Sequence, residues 1–399
     1  MQDIIASSPG LACILTILEN AGHRAHLVGG ALRNALTGHA IKDYDIATSA
    51  RPETVRALFA DRGFRVLPTG IAHGTLSVIH DGEPFEITTW RRDVATDGRR
   101  ATIAYADQLE DDAMRRDFTF NALYMDLRGT ILDPTQTGLQ DAAQRRVRFI
   151  GCAQTRIRED ALRILRYFRF VSDLGAPVDP ASPDFIACRE LSRSLCDLSR
   201  ERVGEEIRRI LGTQAGLQTA LVMHRAGILD EILPMANQVI QGKTLEDRLT
   251  HLHNMEFGLG LIPSFSRRLA AFQIEPPKHE FALSRAEVRQ HDILVRAMTS
   301  GMQAPELGYR LGAGAGTDAL CLAAMLGRTG ADAVSCDDLK AGAGRKMPIR
   351  AADLAHVFSG PALGAALASA EAAWIASDFT MTSDDIIFCL SGQSSEPTP

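Results

Sequence analysis

The stretch Leu27-Val28-Gly29-Gly30-Ala31-Leu32-Arg33, with Asp43-Tyr44-Asp45 ten residues beyond it, decides the fold of this chain. His26 to Val28 reads as the end of a buried strand, Gly29-Gly30 as the turn after it, and residues 31–36 as the opening of a helix. The free N–H groups and dipole of a helix start favour a phosphate, and glycine at the turn lets the backbone come close to it. Gly29 and Gly30 are therefore candidate nucleotide-binding positions. Asp43 and Asp45 flank Tyr44 in extended chain, so a period of two sends both carboxylates to one side, roughly 6 to 7 Å apart. Two such carboxylates can hold Mg²⁺. In a two-metal arrangement one ion activates an attacking hydroxyl and the other clamps a triphosphate. Gly-Gly alone, or Asp-x-Asp alone, occurs in many surface segments; their joint order carries the signal.

The chain around this stretch has 399 residues, 45% of them hydrophobic, enough for several compact units each with a core. Its apolar runs are short and broken by charge, and no basic segment leads into a signal core, so no membrane span is expected and the cytoplasm is the expected compartment. Seven cysteines, at positions 13, 152, 188, 196, 321, 336 and 389, are scattered and never spaced as C-x-x-C, which reads as reduced structural thiols without zinc. A net charge of −6 runs against a polyanionic partner until its distribution is considered. Between Asp141 and Phe170 stand eight arginines (145, 146, 148, 156, 158, 163, 166 and 169) against Asp141, Glu159 and Asp160. Such a basic neck can attract RNA selectively while the rest stays acidic; a solvated arginine face is the alternative reading.

Residues 11–21 read as an amphipathic helix. Strand-like segments follow at 25–28, 42–47, 65–67, 75–80 and 85–90, with helices at 31–36 and 52–61, which makes the first 150 residues or so an α/β head. From Thr155 onward strand signals fade, and helical patterns run at 158–174, 183–196, 202–211, 216–226 and on to Ile387. Residues 312–316 and 341–344, rich in glycine and alanine, read as connections, and 391–399 as a frayed tail.

Three further segments follow in order: Arg115-Arg116-Asp117-Phe118-Thr119-Phe120-Asn121-Ala122-Leu123, then Asp133-Pro134 with Gly138 and Asp141, then Glu159-Asp160-Ala161-Leu162-Arg163-Ile164-Leu165-Arg166. With the opening turn they resemble the class II tRNA nucleotidyltransferases, the CCA-adding enzymes, which share head and neck with bacterial poly(A) polymerases. The resemblance runs from about residue 25 to about residue 235 and thins beyond. It implies an α/β nucleotidyltransferase head, polymerase β-like, with an all-α neck, body and tail: head 1–148, neck 149–215 for base recognition, body 216–330 and tail 331–399 for RNA binding, the last with a disordered end.

Within this frame Arg33, one helical turn past the glycines, can reach a triphosphate; a surface helix arginine is the bland alternative. The family usually carries Asp after this arginine, whereas here Asn34 offers a hydrogen-bond acceptor without charge. Glu86 lies in a strand pattern that either brings a third carboxylate to the metal pair or serves a cross-strand cation. His73 reads as a turn or core residue without catalytic role. Residues 90–105 form a polar, arginine-rich connection; in the family this position holds a flexible element needed for the final A. The resemblance puts Arg116 and Asp117 at the nucleotide, with Asp117 and Asn121 toward the ribose hydroxyls, against a salt-bridged helix start as the alternative.

Asp160 and Arg163, at i and i+3 of an expected helix, can present an acceptor and a pair of donors to a base edge. Cytosine and adenine share one order of donor and acceptor; uracil and guanine show the reverse. A mere helical ion pair is the alternative. Arg166 and Arg169 continue in three-residue steps that drift about 60° each, so they are expected to meet triphosphate or tRNA instead.

The expected activity is template-independent transfer of CMP, CMP and AMP from CTP and ATP to the 3′ end of tRNA, with Mg²⁺ at Asp43 and Asp45. Alternatives are poly(A) addition, A-only addition, and a catalytically silent RNA-binding protein. Neither DNA nor membrane is an expected partner, and the sequence does not fix the oligomeric state.

Overall fold

The computed structural model describes residues 2–60, 62–97, 100–328 and 336–392. The expected frayed tail lies outside these, apart from the backbone of 391 and 392. The chain divides into two compact units, Met1–Pro234 with His279–Ala282, and Met235–Lys278 with Leu283–Pro399.

The first unit opens with α1 (Gln2–Ser7) and α2 (Pro9–Asn20). Ser8 caps α2 by accepting from the Leu11 N–H, and Pro9 occupies the first turn, where its missing donor costs nothing. Leu11, Ile14, Leu15 and Leu18 form the buried stripe of α2 at helical spacing. Next come β1 (Ala25–Val28), α3 (Gly30–Thr37), β2 (Tyr44–Thr48), α4 (Pro52–Ala60), β3 (Arg65–Gly70), β4 (Thr75–His80) and β5 (Glu83–Thr89). β6 (Arg91–Asp97) and β7 (Arg100–Tyr105) pair with each other in a separate sheet, and α5 (Leu109–Met114) leads to the short strands β8 (Tyr124–Met125) and β9 (Ile131–Leu132). The main sheet has the order β3-β4-β5-β2-β1-β8-β9, with β2 and β5 parallel and the other neighbours antiparallel.

Strand alternation divides this sheet into two faces. Leu27, Ile46 and Ile87 join the buried stripe of α2 and Val55 and Phe59 of α4 in one core, while Val28 and Ala47 pack on the other side with Trp90, Ala113 and Tyr124. The expected polar connection over 90–105 is instead mostly the β6–β7 hairpin, since Ala95, Thr102 and their neighbours pair backbone to backbone. Residues 98 and 99 of that connection lie outside the described ones.

After α6 (Gly138–Ala143) the unit is helical: α7 (Ala153–Glu159), α8 (Leu162–Leu174), α9 (Pro183–Glu190), α10 (Arg200–Leu211) and α11 (Gly216–Arg225). A single helix over 158–174 is not formed. Asp160 sits at φ −155°, ψ 107°, between α7 and α8, and its Oδ1 accepts from the Leu162 N–H at 3.1 Å. A short acidic side chain offers the backbone this alternative to continuing the helix. α9 likewise stops at Glu190, and a 3₁₀ segment, Ser192–Asp197, takes the rest of the expected 183–196 helix.

The second unit comprises α12 (Leu245–Gly258), α13 (Phe265–Phe272), α14 (Arg285–Ser300), α15 (Ala304–Met325), α16 (Cys336–Ala343), α17 (Ala351–Leu354), α18 (Gly360–Ala376) and α19 (Ser383–Gly392). Residues 312–316, expected as a connection, lie inside α15, interrupted only by Gly312 at φ 76°. Three arginines of this unit are internal struts. Arg248 donates to the carbonyls of Ala236, Gln238, Lys243, Ala271 and Phe272, while Arg267 and Arg268 share the buried Glu256. Among the described residues no helix is long and apolar enough to cross a membrane.

Candidate active site

The site is built where β1 ends. Val28 pairs with Asp45 across β1 and β2, and Asp45 pairs in parallel register with Glu86 of β5. The neighbouring pair, Tyr44 and Phe85, turns toward the core, with ring centroids 5.8 Å apart, so alternation directs Asp45 and Glu86 to the opposite face. Asp43 precedes β2 and is exposed, as is Glu86. Burial foremost, then the charges of Glu86 and Asp43, push the Asp45 carboxyl up to about 6, against the pull of Arg116 and Arg33. Such crowding of negative charge is what a divalent cation relieves, and hard carboxylate oxygens are suitable donors. Among the described residues no three His, Cys, Asp or Glu side chains meet as a ready-made metal cage. One or two carboxylates suffice when substrate phosphates and water complete the coordination.

Gly29 takes φ 73°, ψ −128°, a conformation closed to other residues, and hands the chain to α3 at Gly30. A Cβ at Gly29 would stand 3.3 Å from Asp45 Oδ2 and 3.8 Å from an Arg116 terminal nitrogen. Turn, carboxylate and guanidinium thus meet at one point.

Arg116 is held there by residues the sequence reading did not single out. Its Nη2 donates to Asp112 Oδ2 at 3.0 Å, its Nε to the Tyr124 hydroxyl at 3.1 Å, and that hydroxyl donates to the same Asp112 oxygen at 2.8 Å. Burial opposes the charge on Asp112, but Arg116 and Arg115 win and hold its carboxyl at about 2. The spacing of Asp112 to Arg116, i to i+4 across the end of α5, was the available signal.

A second network begins at Arg33. Asn34 Oδ1 accepts from its Nε and Nη2 at 3.2 and 2.9 Å, and Asn121 Oδ1 accepts from its Nη1 at 2.8 Å. The uncharged Asn34 therefore still orients the guanidinium, which also lies 4.7 Å over the Phe170 ring. Burial foremost, then the cation of Arg169, lowers Arg33 to about 10. Asn121 Nδ2 donates to Asp117 Oδ1 at 3.0 Å, and Asp117 Oδ2 accepts from Arg166 Nε at 2.7 Å. Burial alone would raise Asp117; Arg166 and these hydrogen bonds bring it below the usual range instead. The chain Asn34, Arg33, Asn121, Asp117, Arg166 thus links α3 of the head to α8.

The expected neighbour pair Asp160 and Arg163 is corrected in one respect: no helix carries both, and their side chains engage other partners. Asp160 Oδ2 pairs with Arg202 of α10 at 2.7 Å; Arg163 pairs with Glu159 at 2.6 Å and donates to the Arg115 carbonyl at 3.2 Å. Arg169 pairs with Glu206 at 2.8 Å. The basic neck is correspondingly less open than its composition suggested. Arg148, Arg156, Arg163, Arg166 and Arg169 all bind carboxylates, while Arg145, Arg146 and Arg158 remain exposed. Among the described residues Glu86 pairs with no cation; it stands exposed beside Asp45 in the sheet. His73 lies in a 3₁₀ turn, as expected.

Residues 25–148 match the family described as the poly A polymerase head domain, and residues 185–240 the one described as the probable RNA- and SrmB-binding site of polymerase A. The chain is 40% identical to the mitochondrial CCA tRNA nucleotidyltransferase 1 of Danio rerio over 216 residues, 53% of this chain and 50% of the relative. It is also 40% identical to the CCA-adding enzyme of Leuconostoc citreum over 230 residues, 57% of this chain and 54% of the relative. It thus spans about half the length of the curated relatives it matches. A solved Bacillus stearothermophilus CCA-adding enzyme in complex with CTP superposes with a TM-score of 0.74 at 26% identity, covering 96% of each chain. The Thermotoga maritima CCA-adding enzyme complexed with tRNA has the same fold, with a TM-score of 0.72 at 16% identity over 96% of this chain and 94% of that one. The mixed-sheet head and helical remainder expected from the sequence are borne out.

Proposed function

We propose that this chain belongs to the tRNA nucleotidyltransferase and poly(A) polymerase family, which its head match and its likeness to CCA-adding enzymes support, and that it adds CMP, CMP and AMP to the 3′ end of tRNA, using CTP and ATP and releasing pyrophosphate. The observation that carries this reading is the meeting of the Gly29 turn, Asp45 and Arg116 at the end of β1. Its organisation, in this proposal, is head 1–148, neck 149–215, body 216–330 and tail 331–399, with tRNA held by the last two.

The attacking group is the terminal 3′-hydroxyl of the RNA, so no protein nucleophile is required. Mg²⁺, held by Asp43 and Asp45 with Glu86 beside them, supplies Lewis-acid activation and neutralises triphosphate charge when bound. Gly29 and Gly30 receive the triphosphate on backbone N–H groups at the start of α3. Arg33 and Arg116 bring cationic donors to the same end of the sheet. Arg33 is oriented by two uncharged carboxamides, so its charge remains available to phosphate oxygens. Asp117 and Asn121 serve the ribose hydroxyls, and Asp160 and Arg163 read the base edge. Arg166 and Arg169, bound to Asp117 and Glu206, brace α8 behind them. The cytoplasm is the compartment we propose, a setting in which the free thiols persist.

The test is incubation of the protein with tRNA lacking its 3′ end and with CTP, ATP or both. Addition of two C residues with CTP alone, completed by one A when ATP is supplied, is the expected result. The descriptions of the two matched families favour a second reading, poly(A) addition. Long A tails from ATP alone would establish that reading and reject ours.

A further inference from the structure

Three arginines converge on one aromatic ring of α8. The guanidinium carbons of Arg33, Arg166 and Arg169 lie 4.7, 5.6 and 4.3 Å from the centroid of Phe170, all within the range at which a ring face attracts a cation. Phe170 is 1% exposed. Phe118 and Phe120, stacked on each other at 5.7 Å, both cross it at 78° with centroids 5.2 Å away, which fixes the orientation of the ring. The three cations are not equivalent. Arg166 is paired with Asp117 and Arg169 with Glu206. The side chain of Arg33 is bonded only to the carboxamides of Asn34 and Asn121, and among the described residues it forms no ion pair. Asp173, one turn past Phe170 on α8, is near enough to attract Arg33 but does not pair with it.

We propose that Phe170 is the positioning residue of Arg33: its π face holds the guanidinium in place of a counter-ion, so that the charge is left for the triphosphate of the incoming nucleotide. The inference rests on the nucleotide-transfer reading above. A half-buried guanidinium beside two other cations and without a carboxylate needs another source of negative potential, and the ring face supplies it. A leucine would fill similar space without that potential. The guanidinium is also in the right place, since a Cβ at Gly30 would stand 3.6 Å from Arg33 Nη2, at the turn that receives the phosphates. CTP and ATP carry the same triphosphate, so Phe170 sets affinity for both alike and leaves base choice to other groups.

The experiment is steady-state transfer of C to tRNA lacking its 3′ end and of A to tRNA ending in CC, with KM measured separately for each nucleotide and for the RNA. Phe170→Leu should raise KM for CTP and ATP together by about five- to thirtyfold with kcat little changed. It should weaken inhibition by pyrophosphate to a similar degree, and leave KM for the RNA and the preference for CTP over UTP as they are. Mono-, di- and trifluorinated phenylalanine at position 170 keep the shape of the ring while draining its face of negative potential, so KM for both nucleotides should climb stepwise with fluorine number. This series decides the matter where Phe170→Leu does not fold. In an Arg33→Ala background Phe170→Leu should change nucleotide KM no further, because the two residues act as one. Nucleotide KM that is unchanged in Phe170→Leu, flat across the fluorinated series, or additive with Arg33→Ala would overturn the proposal while leaving CCA addition standing. If the wild-type protein extends neither RNA, the functional reading fails and this assignment falls with it.

Discussion

Asp112 and Arg116 meet side by side, Oδ2 to Nη2 at 3.0 Å, with the carboxylate side chain only 1% exposed. The pair places a cation against the Gly29 turn, and Tyr124 bridges both partners through its hydroxyl. Tyr124→Phe keeps the ring and deletes the bridge. It should cost about 1 kcal/mol of stability and lower kcat about tenfold, because Arg116 loses one of the groups that aims it. Asp112→Ala leaves the guanidinium without its carboxylate and should cost about 3 to 5 kcal/mol. Denaturant melts and steady-state kinetics separate the two effects; a Tyr124→Phe enzyme that melts early yet turns over normally would reduce the bridge to a packing role.

Gly29→Ala tests the turn itself. The backbone at φ 73°, ψ −128° resists any Cβ, and the added methyl would meet Asp45 Oδ2 at 3.3 Å. Strain of about 1 to 3 kcal/mol should appear as a lower melting point, with transfer falling further than stability because the methyl intrudes where the triphosphate would sit. Gly30→Ala, already in the helix, should be far milder. Equal behaviour of the two variants would count against a phosphate-binding role for Gly29.

Asp43→Ala and Asp45→Ala should each abolish transfer while tRNA binding persists, since the proposed function assigns RNA affinity to cations elsewhere. Gel-shift and single-turnover assays on the same preparations distinguish the two functions. Substantial Mg²⁺-dependent turnover in either variant would remove that residue from the metal site.

Local patterns made the head legible. The apolar alternation at 75–80 gives β4 residue for residue, and Gly29-Gly30 stands where a strand hands over to a helix. What stayed hidden depends on pairing across long sequence distances. Nothing near Arg166 announces that Asp117 will bind it, and nothing near Asp160 announces Arg202, because α8 and α10 meet those residues only after folding. The break at Asp160 was missed for a related reason. The Glu159–Arg166 segment has good helical periodicity, and one side chain capping the Leu162 N–H was enough to interrupt it. Composition misled at the neck, where counting arginines could not reveal that most of them face carboxylates.

His26 provides a pH signature of the folded head. It is buried between Trp90 and Tyr124, with ring centroids 6.1 and 6.2 Å away. Burial chiefly, aided by Arg24 and opposed by Asp126, lowers it from 6.5 to about 4. Between those values the unfolded chain binds more protons than the folded one. The neutral ring's contribution is therefore full above about pH 6.5 and is lost as pH falls toward 4, by up to about 3 kcal/mol. His26→Phe should lose less stability than wild type when pH is lowered from 7 to 4.5. Parallel stability curves for the two proteins over that range would show that His26 does not titrate as described.

Asp160 and Arg163 carry the prediction on base choice. Cytosine and adenine present an amino donor beside a ring-nitrogen acceptor, which suits one carboxylate and one guanidinium; uracil and guanine present the reverse. In the structure Asp160 is held by Arg202 and Arg163 by Glu159, so on the proposed reading each would meet the base with one side already anchored. Asp160→Ala or Arg163→Ala should narrow the preference for CTP and ATP over UTP and GTP by about tenfold or more, since an unmatched partner costs about 1 to 3 kcal/mol. Arg202→Ala should act differently: it frees Asp160 without removing it, and should slow C and A addition together while largely preserving selectivity. Incorporation efficiencies of all four nucleotides on one tRNA decide the matter. If Asp160→Ala and Arg163→Ala lower all four by a common factor, the two residues are structural and base choice lies with other groups.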